Sequence, residues 1–171
     1  GAQLTYKNWD IYRLASIFML AHPYGYPRVM SSYFFSSYDQ GPPSEPVHGP
    51  NGELRCGLGH PWACEHRAPA IANMVGWRRS AGSAGITKFI AVGSALAFCR
   101  GEEACVALNR MDQPLNATVE FSLPIGEYCD VIQSDATDCP GVHVHAGGVV
   151  HLLVPARGAV ALHVGALRAL V

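Results

Sequence analysis

The sequence predicts two unlike parts, an α/β segment over residues 1–79 and an antiparallel all-β domain over residues 80–171. Near the start, a helical apolar pattern is followed by a short, mostly uncharged run, which is typical of a parallel α/β unit. Beyond residue 85, short apolar runs alternate with turn residues at intervals of roughly ten positions. That spacing is typical of an antiparallel sandwich or Greek-key domain.

The first helix is predicted to begin after Asn8, a favoured N-cap residue, with Asp10 in the first turn. Apolar residues then recur at helical spacing: Ile11, Leu14, Ala15, Phe18 and Met19. The helix should end at His22, because a residue before proline disfavours the helical conformation. We expect His22 to cap the helix, although a substrate contact is the other interpretation.

The run Arg28–Tyr33 is predicted to form a buried strand that follows this helix through a tight connection. A lone arginine in such a strand needs a compensating charge, since an unpaired buried charge is costly. From the chemistry alone, a neighbouring carboxylate and a bound anion both remain open for Arg28.

Residues 34–63 read as a long loop, rich in proline and glycine. A second helix is predicted over Glu65–Arg79, starting nearer Ala68 because Pro69 fits only in a first turn. Its inward residues are predicted to be Ile71, Met74, Val75 and Trp77. The small-residue stretch Ser80–Gly85 is the predicted domain boundary.

Eight short strands are predicted after this boundary, with hairpin turns at Arg100–Glu103 and Ala146–Gly148. They are Phe89–Val92, Leu96–Cys99, Cys105–Asn109, Thr118–Phe121, Glu127–Ile132, Val142–His145, Val149–Val154 and Ala159–Val164.

The composition is that of a globular chain, with 49% apolar and 15% charged residues. A formal net charge of −1 gives no reason to expect nucleic-acid or anionic-membrane partners. The apolar runs are too short or too interrupted to span a bilayer.

Six cysteines form three close pairs in sequence, for which fifteen connectivities are possible. The pairs are Cys56/Cys64, Cys99/Cys105 and Cys129/Cys139. Zinc is a competing explanation, but no pair has the two-residue spacing of a zinc knuckle. The second and third pairs lie where adjacent strands are expected, which suits local disulfides.

Asn116-Ala-Thr118 is an N-glycosylation acceptor. Together these features favour a secreted, oxidising compartment over reduced intracellular thiols.

The stretch Ala21–Gly25, followed by Arg28–Tyr33, resembles the eighth-strand region of the animal-type, chloride-dependent α-amylases. Further segments in the same order resemble the C-terminal part of that family. They are Cys64–Arg67, Asn73–Val75, Phe98–Gly101, Gly126–Ile132 and Ala161–His163.

This resemblance implies that residues 1–79 are the incomplete C-terminal end of a (β/α)8 barrel and residues 80–171 a Greek-key β-sandwich domain. The parent enzyme would be a secreted, retaining glycoside hydrolase, monomeric in its complete form. It would cleave internal α-1,4-glucosidic bonds of starch, glycogen and maltooligosaccharides.

The same resemblance implies that the catalytic carboxylates and the calcium ligands lie upstream of Gly1. We therefore assign no catalytic residue, and we expect the chain by itself to be inactive. Arg28 matches the arginine that holds chloride in this family. The resemblance therefore favours a bound chloride over a neighbouring carboxylate as the partner of Arg28. The other chloride ligands would also lie upstream, so the chain would hold only part of that site.

Other candidate sites have simpler interpretations. His143, His145 and His151 could hold a metal, but we interpret them as surface strand residues and assign no metal ligand. Cys64 beside His66 is interpreted as half of a disulfide with Cys56, rather than as a nucleophile. Four aromatic residues could stack on sugars, although core or interface packing is favoured. These are Tyr24, Tyr26, Trp62 and Trp77.

The alternative function is a non-catalytic β-sandwich module that binds carbohydrate or serves as a structural appendage. The apolar run Arg28–Tyr33 discriminates between the two, because a free-standing module has no use for a barrel strand.

Overall fold

The structure, a computed structural model, describes residues 3–136 and 138–168. Two helices come first, α1 over Trp9–Ala21 and α2 over Pro69–Ala81, and eight strands follow. The strands are β1 Ile86–Val92, β2 Ala95–Arg100, β3 Ala104–Asn109, β4 Leu115–Glu120, β5 Gly126–Cys129, β6 Gly141–Val144, β7 Val149–Val154 and β8 Gly158–His163. Both predicted helices and all eight predicted strands are present, with their ends shifted by a few residues.

The strands form two antiparallel sheets, which confirms the predicted all-β domain. One sheet has the order β1-β2-β3-β8 and the other β4-β7-β6-β5. Non-consecutive neighbours, β3 beside β8 and β4 beside β7, mean that the chain crosses between the sheets as in Greek-key folds.

The first sheet is covered on both faces. One face packs on the second sheet, where residues such as Ala107 and Leu162 meet Val150 and Leu152. The other face packs on α1 and α2, where Phe98 and Val106 meet residues of the helices. This double covering explains why all six residues of β3 are buried, in an almost continuous apolar run.

The helix α2 supplies the centre of the helical layer. Ile71, Met74 and Trp77 are buried as predicted, whereas Val75 is 51% exposed, which corrects its assignment to the inner face. Val75 lies one residue beyond Met74, and a step of about 100° per residue carries it out of the buried face. None of the described helices is long and apolar enough to cross a membrane.

The predicted strand over Arg28–Tyr33 is wrong for this chain. The segment is extended but unpaired, apart from one isolated bridge between Tyr33 and Trp62. A strand requires hydrogen-bonding neighbours, and the described residues place none beside it. The expected end of a (β/α)8 barrel is accordingly not formed by residues 3–79, which contribute two helices and irregular segments.

The boundary at Ser80–Gly85 falls where α2 ends and the chain turns into β1. One apolar core continues across it, because Ala81 of α2 and Phe98 of β2 belong to the same cluster. The division into domains 1–79 and 80–171 stays a prediction.

Candidate functional site

Arg28 lies on the surface of the described chain. Its segment is irregular and its side chain is exposed. None of the ion pairs in the described ranges includes it. The expectation that Arg28 is buried is therefore wrong here, because no sheet surrounds the segment. Its role towards an anion stays a prediction.

A buried acid holds the end of the same segment. Glu65 is only 4% exposed, and its carboxylate accepts hydrogen bonds from the Ser32 backbone N–H, at 2.8 Å, and from the Ser32 hydroxyl. Burial, with a smaller contribution from the charge of Glu65, raises the pKa of Tyr12. Because both carboxylate oxygens are engaged by Ser32, Glu65 acts as an anchor between this segment and the start of α2.

Arg100, at the end of β2, joins the two helices to the first sheet. It is 2% exposed and donates hydrogen bonds to the carbonyl oxygens of Ala21 (3.0 Å), Gly82 (2.9 Å) and Ala84. The last carbonyls of a helix lack partners within the helix and carry the negative end of its dipole. A guanidinium, with five donors in one plane, suits several such acceptors at once.

Arg78 reinforces the same place from α2. It donates to the carbonyl oxygens of Leu20 (2.8 Å), His22 (2.6 Å) and Gly25 (3.0 Å). Burial, followed by the charge of Arg78, lowers the pKa of Arg100. The positive charges of Arg78 and Arg100 therefore stabilise the C-terminal end of α1. All of their hydrogen-bond acceptors are backbone carbonyl oxygens, not carboxylates.

His22 is the C-cap of α1, as predicted. Its backbone N–H donates to the Phe18 carbonyl, at 2.9 Å, and its ring Nδ1 accepts from the Tyr24 N–H, at 3.2 Å.

A buried carboxylate connects the end of β5 with β8. Asp130 is 1% exposed, and one of its oxygens accepts from the N–H groups of Ala161 (3.0 Å) and Ile132 (3.2 Å). The other oxygen accepts from the Gln133 side chain at 2.7 Å. Burial raises the pKa of Asp130, while these three hydrogen bonds act in the opposite direction.

The inner face of α2 adds two further links to the β-domain. Asn73 donates from its amide to the Val131 carbonyl at 2.9 Å. The Trp77 indole N–H is shared between the carbonyls of Leu162 (2.9 Å) and Cys105 (3.2 Å). Trp77 is fully buried, as predicted.

An open cleft of about 960 Å³ lies between α2, the loop after β5 and the segment after β8. His163 lines it, and its Nδ1 accepts from the Gly165 N–H at 3.1 Å. The Ser80 hydroxyl lies 2.9 Å from the same nitrogen and must also donate, so the ring proton is on Nε2. Burial lowers the pKa of His163.

The other histidines named above lie on the outer face of the second sheet. The ring centroids of His143 and His145 are 4.4 Å apart, and those of His145 and His151 are 5.7 Å apart. All three are exposed. Within residues 3–136 and 138–168, no three His, Cys, Asp or Glu side chains are arranged to hold a metal ion.

The first two cysteine pairs are joined as disulfides between residues that are close in sequence. Cys56 is bonded to Cys64, which is therefore not a free nucleophile next to His66. Cys99 is bonded to Cys105, and the two are direct cross-strand partners in the β2–β3 ladder. The expectation that this second pair would join adjacent strands is confirmed.

The third pair is joined as well, but its expected placement on adjacent strands needs correction. Cys129 is the last residue of β5 and is bonded to Cys139, which lies in the irregular connection before β6. The residue opposite Cys129 in the β5–β6 ladder is Gly141, because β6 begins only there. Cys139 is nevertheless 3% exposed, so this disulfide fixes the β5–β6 connection to the core rather than linking two strands.

Two aromatic predictions need correction. Tyr24 and Tyr26 are 87% and 91% exposed in this chain, because they precede a segment with no sheet neighbours to cover it. Trp62 is half-buried and donates from its indole N–H to the Glu45 carbonyl at 2.9 Å. Asn116 is exposed on β4.

Three buried or half-buried polar residues without a predicted role share one property: each binds backbone atoms of another segment of the fold. Asn73, Arg100 and Asp130 all lie inside the segments that resemble the α-amylases, but no role was predicted for them. The available signal was their position within or beside apolar runs, because a buried polar side chain must find a partner. The resulting arrangement fixes the segments of the fold to one another, and its two buried carboxylates, Glu65 and Asp130, both accept hydrogen bonds from neighbouring groups.

Comparisons with known proteins agree with this architecture. Residues 91–165 match the family model described as "Alpha amylase, C-terminal all-beta domain". The alpha-amylase of Pecten maximus is 38% identical over 97% of this chain and 35% of its own length. That of Tribolium castaneum is 41% identical over 86% of this chain and 32% of its own length.

The structural comparison extends through the helices. Wild-type alpha-amylase I from Eisenia fetida superimposes with a TM-score of 0.81 at 30% identity, covering 96% of this chain and 38% of that one. A variant of that enzyme, solved with maltohexaose, gives a TM-score of 0.83 and covers 37% of that chain. The chain thus spans about a third of the length of the relatives it matches. On the family-model match, the animal relatives and these structures together, the chain belongs to the α-amylase family, and its β-strands form that family's C-terminal all-β domain.

Proposed function

We propose that this chain is the supporting C-terminal part of an α-amylase whose complete form cleaves internal α-1,4-glucosidic bonds of starch and glycogen. The observation that carries the proposal is the extent of the likeness. Alpha-amylases match 95% or more of this chain at 30–41% identity, through the helices as well as the β-domain. A β-sandwich module that merely shared the C-terminal domain would not match through α1 and α2.

The chemistry of the complete enzyme would come from residues outside this chain. Retaining glycosidases use two carboxyl groups about 5–5.5 Å apart, one as nucleophile and one as acid/base. In barrel enzymes these groups lie at the C-terminal ends of strands. Here the buried acids Glu65 and Asp130 are already engaged in anchoring, so the proposal places the catalytic pair and the calcium ligands upstream.

The contribution of this chain is then mechanical. Arg78 and Arg100 hold the end of α1 against the β-domain, and Glu65 holds Ser32. We propose that the Arg28–Tyr33 segment gains strands on both sides in the complete protein and closes its (β/α)8 barrel. Secretion is part of the same proposal and is supported by three disulfides.

The test is an assay of reducing ends released from soluble starch. The purified 171-residue chain should release none. The complete protein encoded with the sequence upstream of Gly1 should release them in the presence of calcium. Activity of the isolated chain would contradict the supporting role, and an upstream sequence without acid-tipped barrel strands would contradict the enzyme assignment.

Arg28 is proposed as one ligand of an activating chloride in that complete enzyme. A guanidinium keeps its charge at any working pH, and a chloride near a catalytic acid would alter the protonation of that acid. In the complete enzyme, Arg28→Gln should abolish the dependence of kcat on chloride, whereas Arg67→Gln, at another exposed arginine, should leave it intact. An unchanged chloride dependence in Arg28→Gln would remove the assignment.

Carbohydrate binding by the chain itself is the second candidate, and the exposure of Tyr24 and Tyr26 favours it. Exposed aromatic rings can stack on sugar faces. Migration of the chain through a gel containing glycogen should be retarded in this case, and Tyr24→Ala with Tyr26→Ala should abolish the retardation. Tyr38→Ala, at a residue that is 88% exposed, is the control. Migration unaffected by glycogen would exclude this candidate.

A further inference from the structure

On one side of the β-sandwich, the edge strand β1 of the first sheet lies beside the edge strand β4 of the second sheet, and we call this the open side. β1 ends the first sheet and β4 ends the second. The two edges are bridged by an ion pair between Lys88 and Glu120, at 2.9 Å, and by the hydroxyls of Thr87 and Ser122, 3.1 Å apart. Edge strands present unpaired backbone groups, which makes such a side a template for pairing with another chain.

Apolar side chains are unusually exposed along this side. Phe89 is 59%, Ile90 47% and Val92 69% exposed, all on β1. Leu153, on the strand next to β4, is 62% exposed. Exposed apolar residues on unpaired edges favour aggregation unless something covers them.

At one end of the open side, features of the chain itself discourage pairing with a further strand. The β1–β2 register shifts between Thr87 and Ile90, and Lys88 adopts a left-handed conformation with φ 50°. Such an irregularity, together with the charge of Lys88 and its partner Glu120, discourages pairing by another strand.

The opposite end has, among the described residues, neither a register shift nor an ion pair between the two edges. There Val92 and Leu115 line a cavity of about 250 Å³ between the two edges. The exposed polar side chain next to Leu115 is Asn116, directly opposite Leu153 in the β4–β7 ladder.

We propose that Asn116 carries an N-linked oligosaccharide, which covers this unprotected end of the sandwich. Asn116, Ala117 and Thr118 form the acceptor sequence. In the transfer, the Asn116 amide nitrogen forms a bond to the anomeric carbon of a sugar carried on a polyprenyl pyrophosphate. The bond from that carbon to the pyrophosphate oxygen breaks, the lipid pyrophosphate leaves, and the amide loses one proton.

The geometry suits a bulky modification. The exposed residues of β4 alternate with half-buried ones, so Asn116 and Thr118 lie on the outer face while Leu115 and Ala117 face inward. The Thr118 hydroxyl is 3.0 Å from the His151 ring on that outer face. A sugar on Asn116 would extend over the exposed Leu153 without displacing any residue of the core.

The experiment is secretion of the full chain from eukaryotic cells, followed by treatment with an amidase that removes N-glycans. Peptide mass spectrometry should show conversion of Asn116 to an aspartate. The modification should be absent from Asn116→Gln and Thr118→Ala but retained in the matched control Thr118→Ser, which preserves the acceptor hydroxyl. An unmodified Asn116 in the secreted wild-type chain would overturn the proposal.

A second experiment tests whether the attached glycan covers a surface that would otherwise pair with another chain. Enzymatic removal of the glycan from the folded chain should increase the fraction that sediments as dimers and larger species, and this avoids any effect of a mutation on folding. Adding Val92→Lys should suppress that increase, because a charge then protects the edge. If the deglycosylated chain stays monomeric, the glycan does not cover a pairing surface.

Discussion

Replacement of Arg100 by methionine should destabilise the chain more than a change at any other arginine in the described ranges. The substitution keeps an unbranched side chain of similar length but removes hydrogen bonds to three carbonyl oxygens, those of Ala21, Gly82 and Ala84. Hydrogen bonds to charged groups contribute about 1.5–3 kcal/mol each, and burying an arginine costs part of that sum. We expect a net loss of about 3 kcal/mol, a large part of the roughly 5–15 kcal/mol that stabilises a typical domain.

The assay is urea unfolding at pH 7 followed by tryptophan fluorescence, since Trp77 is fully buried beside the same junction. The midpoint should fall while the slope with urea concentration stays unchanged. Arg79→Met, at an exposed arginine one residue after Arg78, is the matched control and should behave as wild type. Arg100→Lys should be intermediate, because an ammonium cannot reach all three carbonyls at once. An Arg100→Met midpoint equal to that of Arg79→Met would refute the interpretation.

Three further predictions concern Asp130, His163 and the domain boundary. Asp130→Ala should lower the free energy of unfolding by about 2–4 kcal/mol, because three donors lose their buried acceptor, whereas Asp130→Asn should cost less; equal losses in urea titrations would contradict this. The pKa of His163 is lowered on folding, so the unfolded chain binds more protons below about pH 6.5 and stability should fall as pH drops from there towards the folded pKa. His163→Gln should flatten that dependence, and a wild-type profile that is already flat between about pH 7 and pH 5 would rule the effect out. In limited proteolysis, residues 80–171 should outlast residues 1–60; the reverse order of cleavage would reject the predicted domain boundary.

The strands and helices were predictable because their signals are local. Apolar residues at helical spacing, with Asn8 before them and Pro23 after, define α1 within the chain itself. Short β-rich runs separated by turn residues likewise define the eight strands, with errors of a few residues at their ends. The burial of all of β3 was not deducible in this way, since it depends on a sheet being covered on both faces.

The cysteine pairs show the same limit on a smaller scale. Closeness in sequence was enough to indicate that Cys129 and Cys139 pair, and the structure joins them. Their expected placement on adjacent strands was wrong, because Cys139 precedes both the predicted strand, which starts at Val142, and the observed β6, which starts at Gly141. The bond therefore fixes this connection to the end of β5, and closeness in sequence alone did not justify a cross-strand placement.

The Arg28–Tyr33 segment shows where local reasoning fails altogether. Its apolar run is compatible with a strand, yet strand formation depends on hydrogen-bonding neighbours that no local pattern supplies. The same missing neighbours account for the exposure of Tyr24 and Tyr26. The role of Arg78 was not predicted for a related reason. Its partners are backbone carbonyl oxygens more than fifty residues away, and every residue type has such a carbonyl, so the sequence does not indicate which ones are bound.

Three buried or half-buried polar residues inside the segments that resemble the α-amylases help to hold the fold together. Asn73, Arg100 and Asp130 each bind backbone atoms of a different segment, at least sixteen residues away in every contact of Arg100. A side chain of different geometry at any of them would leave buried carbonyls or amides unpaired, which costs about 1–3 kcal/mol each. The fold consequently constrains these positions whether or not any reaction takes place. It follows that these positions are informative about the fold but neutral about catalysis, so the proposed activity has to be tested separately from the stability of this chain.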